Sequence, residues 1–244
     1  MNYNYIEKGK GDAVIMLHGM FGQPSNWIKI IDALAGKRRI LALELPYLAL
    51  SKEKCDILYL ADYVLKFADS LGIDRSTYIG NSLGGHIALD IAIKNQRRVK
   101  SLILTGSSGL YERGYEEDLQ IHPTREYMKK KIEEIFYDKS FVTDKIVDLA
   151  YDTLLNRRYK LNIVRLSKSA KGYNVKELLH NIKCPTLLIW GKEDTITPPS
   201  VAVEFNKNIK NSRLEFIDRC CHAPMMEYPD KFGALVLDFL TANR

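Results

Sequence analysis

The feature of this sequence that most constrains its fold is a set of short runs in which every residue is apolar. Ala13–Leu17 and residues 187–190 are two such runs. A strand that is apolar on both faces has to be covered on both faces, as in a parallel sheet with helices on each side. Because amphipathic stretches alternate with these runs, the sequence predicts an α/β fold whose mostly parallel central sheet is flanked by helices.

The predicted strands are short and rich in leucine or β-branched residues, whereas the predicted helices repeat apolar positions at three- and four-residue steps. Strands are predicted at residues 2–7, 13–17, 39–45, 77–80, 99–105, 186–190 and 213–217. Helices are predicted at residues 25–34, 58–70, 83–94, 200–207 and 230–239. Strand and helix therefore alternate through both ends of the chain.

The alternation stops between residues 110 and 182, where helical periodicity continues with almost no strand signal. Met128, Ile132 and Phe136 recur at helical spacing, as do Val147 and Leu154. We therefore predict a core formed by residues 1–109 and 183–244. Residues 110–182 are predicted to form a helical cap, inserted between two strands, that covers one edge of the sheet.

Length and composition indicate one ordinary globular unit. The chain has 244 residues and 46% hydrophobic content, enough to bury a sizeable core, and it has no run of about 18 apolar residues that could span a membrane. The 36 Lys and Arg against 30 Asp and Glu are scattered, and the densest basic run, residues 129–131, is followed by Glu133 and Glu134. That pattern is typical of a solvated helix face, so nucleic acid is not the expected partner.

Cysteine usage predicts a reducing compartment. Cys55, Cys184, Cys220 and Cys221 show no C-x-x-C spacing, and a bridge between the two adjacent cysteines would strain the peptide that joins them. The N-terminal residues also lack the apolar stretch of a secretory signal. We therefore expect a cytoplasmic protein.

The strongest chemical signal is the segment Gly80-Asn81-Ser82-Leu83-Gly84, a G-x-S-x-G sequence between a buried strand and a helix. Glycine two residues on either side of the serine lets neighbouring backbone approach a tight strand-to-helix turn. The serine hydroxyl then stands at the carboxyl end of the sheet, where ligands bind in open α/β folds. Ser82 is therefore the predicted nucleophile.

A serine nucleophile needs a base, and the base needs an orienting acid. In G-x-S-x-G enzymes these follow the serine in the order acid, then histidine. Asp194 lies after the predicted strand at 186–190, with Glu193 as the less favoured alternative, and His222 lies after the strand at 213–217. The other four histidines, at positions 18, 86, 122 and 180, are better read as structural.

A tetrahedral intermediate requires two backbone N–H donors, and the helix N-terminus after Ser82 offers the N–H of Leu83. The loop after the strand at 13–17 can supply the second. Met20 is the predicted second donor and Phe21 the reserve. The side chains of both could also line an acyl pocket.

Together these segments resemble the α/β-hydrolase-fold serine hydrolases along nearly the whole chain. The matching segments, in the order the family has them, are residues 17–22, 80–85, 190–194 and 222–229. The resemblance implies Ser82 as nucleophile, Asp194 as orienting acid and His222 as base. It also implies Met20 and Leu83 as oxyanion donors. The sequence shows no apparent metal site, and no cofactor is expected.

The chain departs from its relatives in two places. Relatives usually have Asp-x-Pro-Gly-x-Gly after the strand at 39–45, whereas residues 44–51 here read Glu-Leu-Pro-Tyr-Leu-Ala-Leu-Ser. Losing both glycines must change that loop. Cys221 also stands where a glycine commonly precedes the histidine, and it would be strained if that position needs a positive φ.

The expected reaction is hydrolysis of a small-molecule carboxylic ester by a carboxylesterase-like enzyme. Serine at the elbow argues against the dehalogenases and epoxide hydrolases of this fold, which resemble it with aspartate there. Carbon–carbon bond hydrolysis of the meta-cleavage-product type is the nearest alternative, since residues 80–85 also resemble those hydrolases. Those enzymes hold an acidic substrate with a cap arginine. Arg157 and Arg158, or Arg165, could serve here, but Ala223 follows His222 where those relatives tend to carry an aromatic. A ligand-binding protein on the same scaffold is a third possibility.

Overall fold

Seven strands form one sheet in the computed structural model, which describes residues 2–112 and 124–243. The strands are β1 (Tyr5–Lys8), β2 (Ala13–Leu17), β3 (Arg39–Leu43), β4 (Ser76–Asn81), β5 (Val99–Thr105), β6 (Thr186–Gly191) and β7 (Ser212–Ile217). Their order across the sheet is β1-β3-β2-β4-β5-β6-β7, and only β1 runs antiparallel to its neighbour. The prediction of a mostly parallel sheet is confirmed.

The register of the strands brings their carboxyl ends to one edge of the sheet. Leu17 at the end of β2 pairs with Gly80 of β4, which in turn pairs with Leu104 of β5. Thr105, the last residue of β5, pairs with Ile189 of β6. Because parallel strands end together, the loops that follow β2, β4, β5 and β6 meet at this edge.

Helices cover both faces of the sheet. They are α1 (Ile28–Leu34), α2 (Ile57–Ser70), α3 (Leu83–Lys94), α4 (Arg125–Glu133), α5 (Asp144–Leu155), α6 (Arg157–Gly172), α7 (Pro199–Asn208), α8 (Pro224–Glu227) and α9 (Pro229–Ala242). One apolar cluster joins α2, α3 and α7 to one face of the sheet, and the other joins α1 and α9 to the opposite face. The core therefore has two layers, one on each side of the strands.

Sequence signals explain where these helices begin. The Asp56 side chain accepts hydrogen bonds from the backbone N–H groups of Leu58 and Tyr59, satisfying two donors at the start of α2. Within α2, Leu60, Val64 and Phe67 are fully buried at four- and three-residue steps. This apolar stripe faces the sheet while the opposite side of the helix meets solvent.

The described part of the segment between β5 and β6 contains the helices α4, α5 and α6 and no strand. Met128 and Ile132 of α4 are buried with Val147 and Leu154 of α5 in the cluster that also contains α1. Thr143 and Asn156 cap α5 and α6 through their side-chain oxygens. The predicted helical periodicity is thus confirmed here, and His122 lies outside the described residues.

The predicted elements agree closely with those observed. The bounds of β2, β5 and α3 match the prediction, while the first strand begins at Tyr5 rather than at residue 2. Its antiparallel register explains the difference, because Tyr5 pairs with Leu43, the last residue of β3. The helix predicted from residue 25 opens with a 3₁₀ turn, Pro24–Trp27, before α1.

Two features are absent from the described residues, a membrane-spanning helix and a cluster of metal-ligating side chains. Within residues 2–112 and 124–243, no helix is long and apolar enough to cross a membrane. The same residues contain no group of three or more His, Cys, Asp or Glu side chains placed to hold a metal ion.

Candidate active site

Ser82 occupies a sharp turn between β4 and α3. Its φ of 53° and ψ of −121° lie where residues with a Cβ are strained, at a cost of about 1–3 kcal/mol. The surrounding backbone holds this conformation. The Ser82 N–H donates to the carbonyl of Thr105 at 3.1 Å, and its carbonyl accepts from the N–H groups of Gly85 and Ser108 at 2.9 and 3.1 Å.

Two glycines make the turn possible because no Cβ would fit at either position. A Cβ on Gly80 would lie 2.5 Å from the carbonyl oxygen of Gly84. A Cβ on Gly84 would lie 2.3 Å from the carbonyl oxygen of Leu17 and 2.6 Å from that of His18. The spacing of the two glycines in the sequence therefore reflects close backbone contacts on both sides of Ser82.

Asp194 lies in the loop after β6 and is 2% exposed. One carboxylate oxygen accepts from the backbone N–H groups of Ile196 and Thr197, both at 2.9 Å. The other accepts from the Thr197 hydroxyl at 2.9 Å and lies 2.8 Å from Nδ1 of His222. Trp190 steadies the loop by donating from Nε1 to the Thr197 carbonyl at 2.8 Å.

His222 lies in the loop after β7 and is buried. Because its Nδ1 faces a carboxylate, that nitrogen carries the proton and Nε2 is left as an acceptor. Its backbone N–H donates to the Ile135 carbonyl at 3.0 Å, and its carbonyl accepts from the Asn81 side chain at 3.1 Å. Gly106 packs against the imidazole, since a Cβ there would lie 2.8 Å from Nδ1.

Sequence reasoning missed three residues that hold this arrangement. Asn81 donates to Thr105 and His222 carbonyls, Thr197 contacts both Asp194 and His222, and Ile135 accepts from the His222 amide. Asn81 could have been found, because a polar residue in an otherwise buried strand needs a partner. Ile135 could not, because its contribution is a backbone carbonyl.

Two glutamates hold the loop that carries His222. Glu193 accepts from the Cys220 amide at 2.9 Å, and Glu227 accepts from the Cys221 amide at 2.8 Å. The second Glu227 oxygen accepts from the amides of Tyr137 and Asp138 at 2.6 and 3.1 Å, so it joins this loop to the segment after α4. The positive φ in this loop falls at Arg219, at 55°, and not at Cys221.

The loop after β2 passes beside Ser82 at Gly19, the residue before Met20. The Gly19 carbonyl accepts from His18 Nδ1 at 2.8 Å and from the Gly22 amide at 3.0 Å. Because the peptide is trans, the Met20 N–H points away from that carbonyl. Within the described residues this N–H has no hydrogen-bond partner. A Cβ on Gly19 would lie 3.0 Å from the Ser82 Cβ, so this backbone borders the serine side chain.

His18 is a buried structural histidine of this loop. Burial lowers its pKa to about 4, so the ring is neutral near pH 7. Nε2 accepts from the Leu45 amide at 3.0 Å, which leaves the proton on Nδ1 to meet the Gly19 carbonyl. Phe21, the next residue but one after Gly19, has φ 61° and is 38% exposed.

Of the arginines predicted for the cap, Arg158 contacts the loop at residues 44–51. Arg158 donates to the Ala49 carbonyl at 2.9 Å, and Arg165 donates to the Asn162 side-chain oxygen at 3.2 Å. Arg157 begins α6. A role for Phe21, Arg157 or Arg158 in a substrate pocket stays a prediction.

A second histidine, His86, lies fully buried one turn inside α3. It stacks on Tyr173 with ring centroids 5.5 Å apart, and Nδ1 is 3.8 Å from a Glu112 carboxylate oxygen. Burial lowers the pKa of His86 to about 4 and raises that of Glu112 to about 7. The His86 ring is therefore neutral near pH 7, and neither of its nitrogens has a hydrogen-bond partner among the described residues.

Sequence comparison agrees with this geometry. A family profile described as the α/β hydrolase fold matches residues 12–128. A hydrolase from Paraburkholderia xenovorans, named for 2-hydroxy-6-oxononadienedioate and the corresponding trienedioate, is 31% identical over 97% of this chain and 90% of its own. The chain belongs to the α/β-hydrolase family. Another member, the 2-hydroxy-6-oxo-6-phenylhexa-2,4-dienoate hydrolase of Comamonas testosteroni, is 29% identical over 97% and 90% of the two chains.

Solved structures of α/β hydrolases share the whole fold. An α/β hydrolase enzyme from a sediment metagenome of the Mar Chica lagoon in Morocco has 33% identity and a TM-score of 0.82, covering 99% of this chain and 96% of its own. A variant of the meta-cleavage product hydrolase CumD has 25% identity and a TM-score of 0.87, covering 98% and 94%.

Proposed function

We propose that this α/β hydrolase is a serine hydrolase in which Ser82 attacks the carbonyl carbon of a carboxylic ester. The observation that carries the proposal is the 2.8 Å contact between Asp194 and Nδ1 of His222, whose carbonyl accepts from Asn81, the residue before Ser82 with its positive φ. Asp194 orients the imidazole and His222 is the base. The N–H groups of Met20 and Leu83 are the oxyanion donors.

The proposed reaction has two halves. Ser82 Oγ bonds to the carbonyl carbon while its proton passes to Nε2 of His222, and the oxyanion meets the Met20 and Leu83 N–H groups. His222 then gives that proton to the leaving alcohol as the carbon–oxygen bond breaks. A water molecule attacks the acyl-enzyme, loses its proton to His222, and Ser82 recovers its hydrogen when the acid leaves.

The helices between β5 and β6 belong to the proposed cap, residues 110–182. Two contacts support a cap over the site, namely the Ile135 carbonyl on the His222 amide and the Glu227 carboxylate on the Tyr137 and Asp138 amides. Both tie residues 135–138 of this segment to the loop that carries the base. The substrate is expected to enter between that segment and the edge of the sheet.

Two observations favour a neutral ester over an acidic substrate. Arg158 and Arg165 make hydrogen bonds to Ala49 and Asn162, so both guanidinium groups already have partners within the protein. Ala223 follows His222 and is 3% exposed, where meta-cleavage-product hydrolases tend to carry an aromatic residue.

The four thiols are unpaired, which is compatible with the predicted cytoplasmic location.

Carbon–carbon bond hydrolysis is the second candidate, because the relatives from P. xenovorans and C. testosteroni are named for substrates of that kind. It would use the same Ser82, His222 and Asp194 on a ketone carbonyl of a vinylogous diketone acid. Arg157 or Arg158 would then hold the substrate carboxylate. This candidate differs from the first in the leaving group, which is a carbanion in place of an alkoxide.

A substrate series distinguishes the two candidates. The purified protein and its Ser82→Ala variant are assayed on p-nitrophenyl esters from acetate to dodecanoate, and in parallel on a 2-hydroxy-6-oxo-dienoate. Ser82-dependent ester turnover that exceeds dienoate turnover supports the esterase. The reverse ranking supports carbon–carbon hydrolysis. Thermal stabilisation by these ligands without Ser82-dependent turnover of either class would contradict both and favour a binding protein.

A further inference from the structure

Tyr47 stands in the loop that lost the glycines of its relatives, and it contacts the oxyanion loop directly. Its hydroxyl donates to the His18 carbonyl at 2.9 Å, and the side chain is 3% exposed. Burial raises the Tyr47 pKa well above its usual value, so the hydroxyl remains a donor. The same His18 carbonyl lies against Gly84, so the peptide between His18 and Gly19 is held from both sides.

The neighbouring residue Leu45 holds the next peptide through the His18 ring. The Leu45 amide donates to Nε2, and Nδ1 of the same ring donates to the Gly19 carbonyl. The Gly19 carbonyl and the Met20 N–H belong to one planar peptide. The loop at residues 45–47 therefore sets the direction of the Met20 N–H through two consecutive peptides.

Helix α6 holds this loop in turn. The Asn162 side-chain nitrogen lies 3.3, 3.1 and 2.9 Å from the carbonyl oxygens of Tyr47, Leu48 and Leu50, and Asn162 is 1% exposed. Arg158, one turn earlier on α6, donates to the carbonyl of Ala49 between them. Four consecutive carbonyl groups of the loop thus face side chains of one cap helix.

We propose that Tyr47 is a positioning residue for the oxyanion donor Met20, and that Asn162 of the cap keeps Tyr47 in place. This inference rests on the proposed function of Ser82 and adds a route by which the cap supports the reaction. It follows that cap and oxyanion loop act together: loosening α6 at Asn162 weakens the oxyanion contact although Asn162 does not touch the substrate.

The test uses variants that each lose one contact and compares them with a control variant that loses the hydroxyl of a different tyrosine. Tyr47→Phe deletes only the hydroxyl on His18, and Tyr173→Phe deletes a hydroxyl that donates at 2.7 Å to Asp90 on α3. Asn162→Ala removes the contact from the cap. Each variant is assayed for kcat and KM on the best ester and for inhibition by a trifluoromethyl ketone, whose adduct with Ser82 carries an oxyanion.

We expect kcat of the Tyr47→Phe variant to fall by about tenfold with KM changed less than about twofold, since a small displacement of an oxyanion donor costs part of its full effect. Trifluoromethyl ketone binding should weaken in parallel. Asn162→Ala should do the same, and its combination with Tyr47→Phe should cost less than the product of the two. The Tyr173→Phe variant should keep kcat and inhibitor binding.

Amide hydrogen exchange of Gly22 gives a readout that needs no activity, since this amide donates to the Gly19 carbonyl. Faster exchange of Gly22 in Tyr47→Phe and Asn162→Ala, but not in Tyr173→Phe, is the expected result. Unchanged exchange together with unchanged kcat and inhibitor binding would overturn the inference. Absence of Ser82-dependent turnover in the unmodified protein would overturn the proposed function instead, and Gly22 exchange would still test the role of Tyr47.

Discussion

Alanine substitutions at Gly106 and at Gly72 distinguish the effect of backbone strain from the effect of displacing His222, the proposed base. The φ of Gly106 is +51°, and a Cβ there would lie 2.8 Å from Nδ1 and 2.9 Å from Cε1 of the His222 ring. Gly72 has a similar φ of +66°, but a Cβ there would meet no atom within 4 Å. Gly106→Ala and Gly72→Ala therefore impose the same kind of backbone strain, and only the first presses on the imidazole.

The two substitutions should differ in activity far more than in stability. An L-residue at a left-handed φ costs roughly 1–2 kcal/mol, so both variants should lose about that much free energy of unfolding. Relieving the contact at Gly106 requires the ring to move by close to 1 Å. A displacement of that size costs about a hundredfold in rate, or about 2.7 kcal/mol of transition-state stabilisation.

The assay measures kcat/KM on the best ester and urea unfolding for both variants. The expected result is a kcat/KM about a hundredfold lower for Gly106→Ala and nearly unchanged for Gly72→Ala, at similar losses of stability. Fluorophosphonate labelling of Ser82 should slow in Gly106→Ala alone. If Gly106→Ala kept the kcat/KM of the Gly72→Ala variant, His222 would not act from the position described, and the proposed role of the imidazole would be refuted.

Three further predictions concern the same region. His86→Phe should reduce the loss of stability on acidification, because the folded-state pKa of His86, about 4, lies below its unfolded value. The stability that the neutral His86 ring contributes is therefore present above about pH 6.5 and falls as the pH drops toward 4. The loss is about 2 kcal/mol at pH 5. Urea unfolding at pH 7 and pH 5 checks this. An equal loss of unfolding free energy between these pH values in the unmodified protein and in the His86→Phe variant would contradict it. Glu227→Ala should lower kcat several-fold by freeing the Cys221 amide, and Glu227→Gln should lower it less, because its one carboxamide oxygen keeps only one of the two sets of hydrogen bonds; equal effects would argue against the hydrogen bonds. Gly84→Ala should prevent folding or cost more than about 3 kcal/mol, because the added Cβ meets the carbonyl of Leu17 at 2.3 Å, and a soluble variant with the original melting temperature would disprove the close contact.

The fold could be predicted because its signals are local. Ala13–Leu17 is apolar throughout and Val99–Thr105 is rich in leucine and β-branched residues, and their observed bounds equal the predicted ones. The turn at Ser82 could be predicted for the same reason, since only glycine allows the close backbone contacts observed at Gly80 and Gly84. The order of Ser82, Asp194 and His222 along the chain then restricted the choice of partners, and the structure places Asp194 rather than Glu193 against the imidazole.

The contacts that hold the site were harder to predict because they cross long stretches of chain through backbone groups. Asn162 and the carbonyl groups of residues 47–50 are more than a hundred residues apart. Because every residue has a backbone carbonyl, residue identity does not show which carbonyl groups Asn162 contacts. The loss of glycines in residues 44–51 indicated only that the loop must differ. What replaces them, the Tyr47 hydroxyl on His18, depends on where the strand ends meet.

Periodicity and glycine placement by themselves predicted the sheet and the elbow of this α/β hydrolase, because each depends on the chemistry of neighbouring residues. The order of the motifs predicted His222 as the base and left Asp194 or Glu193 as the acid. Tertiary structure alone decided which carboxylate faces His222, where the positive φ of its loop falls, and how α6 supports the loop beside Met20. Those outcomes depend on distances between segments that are remote in the chain, and such distances are set by packing around the shared core.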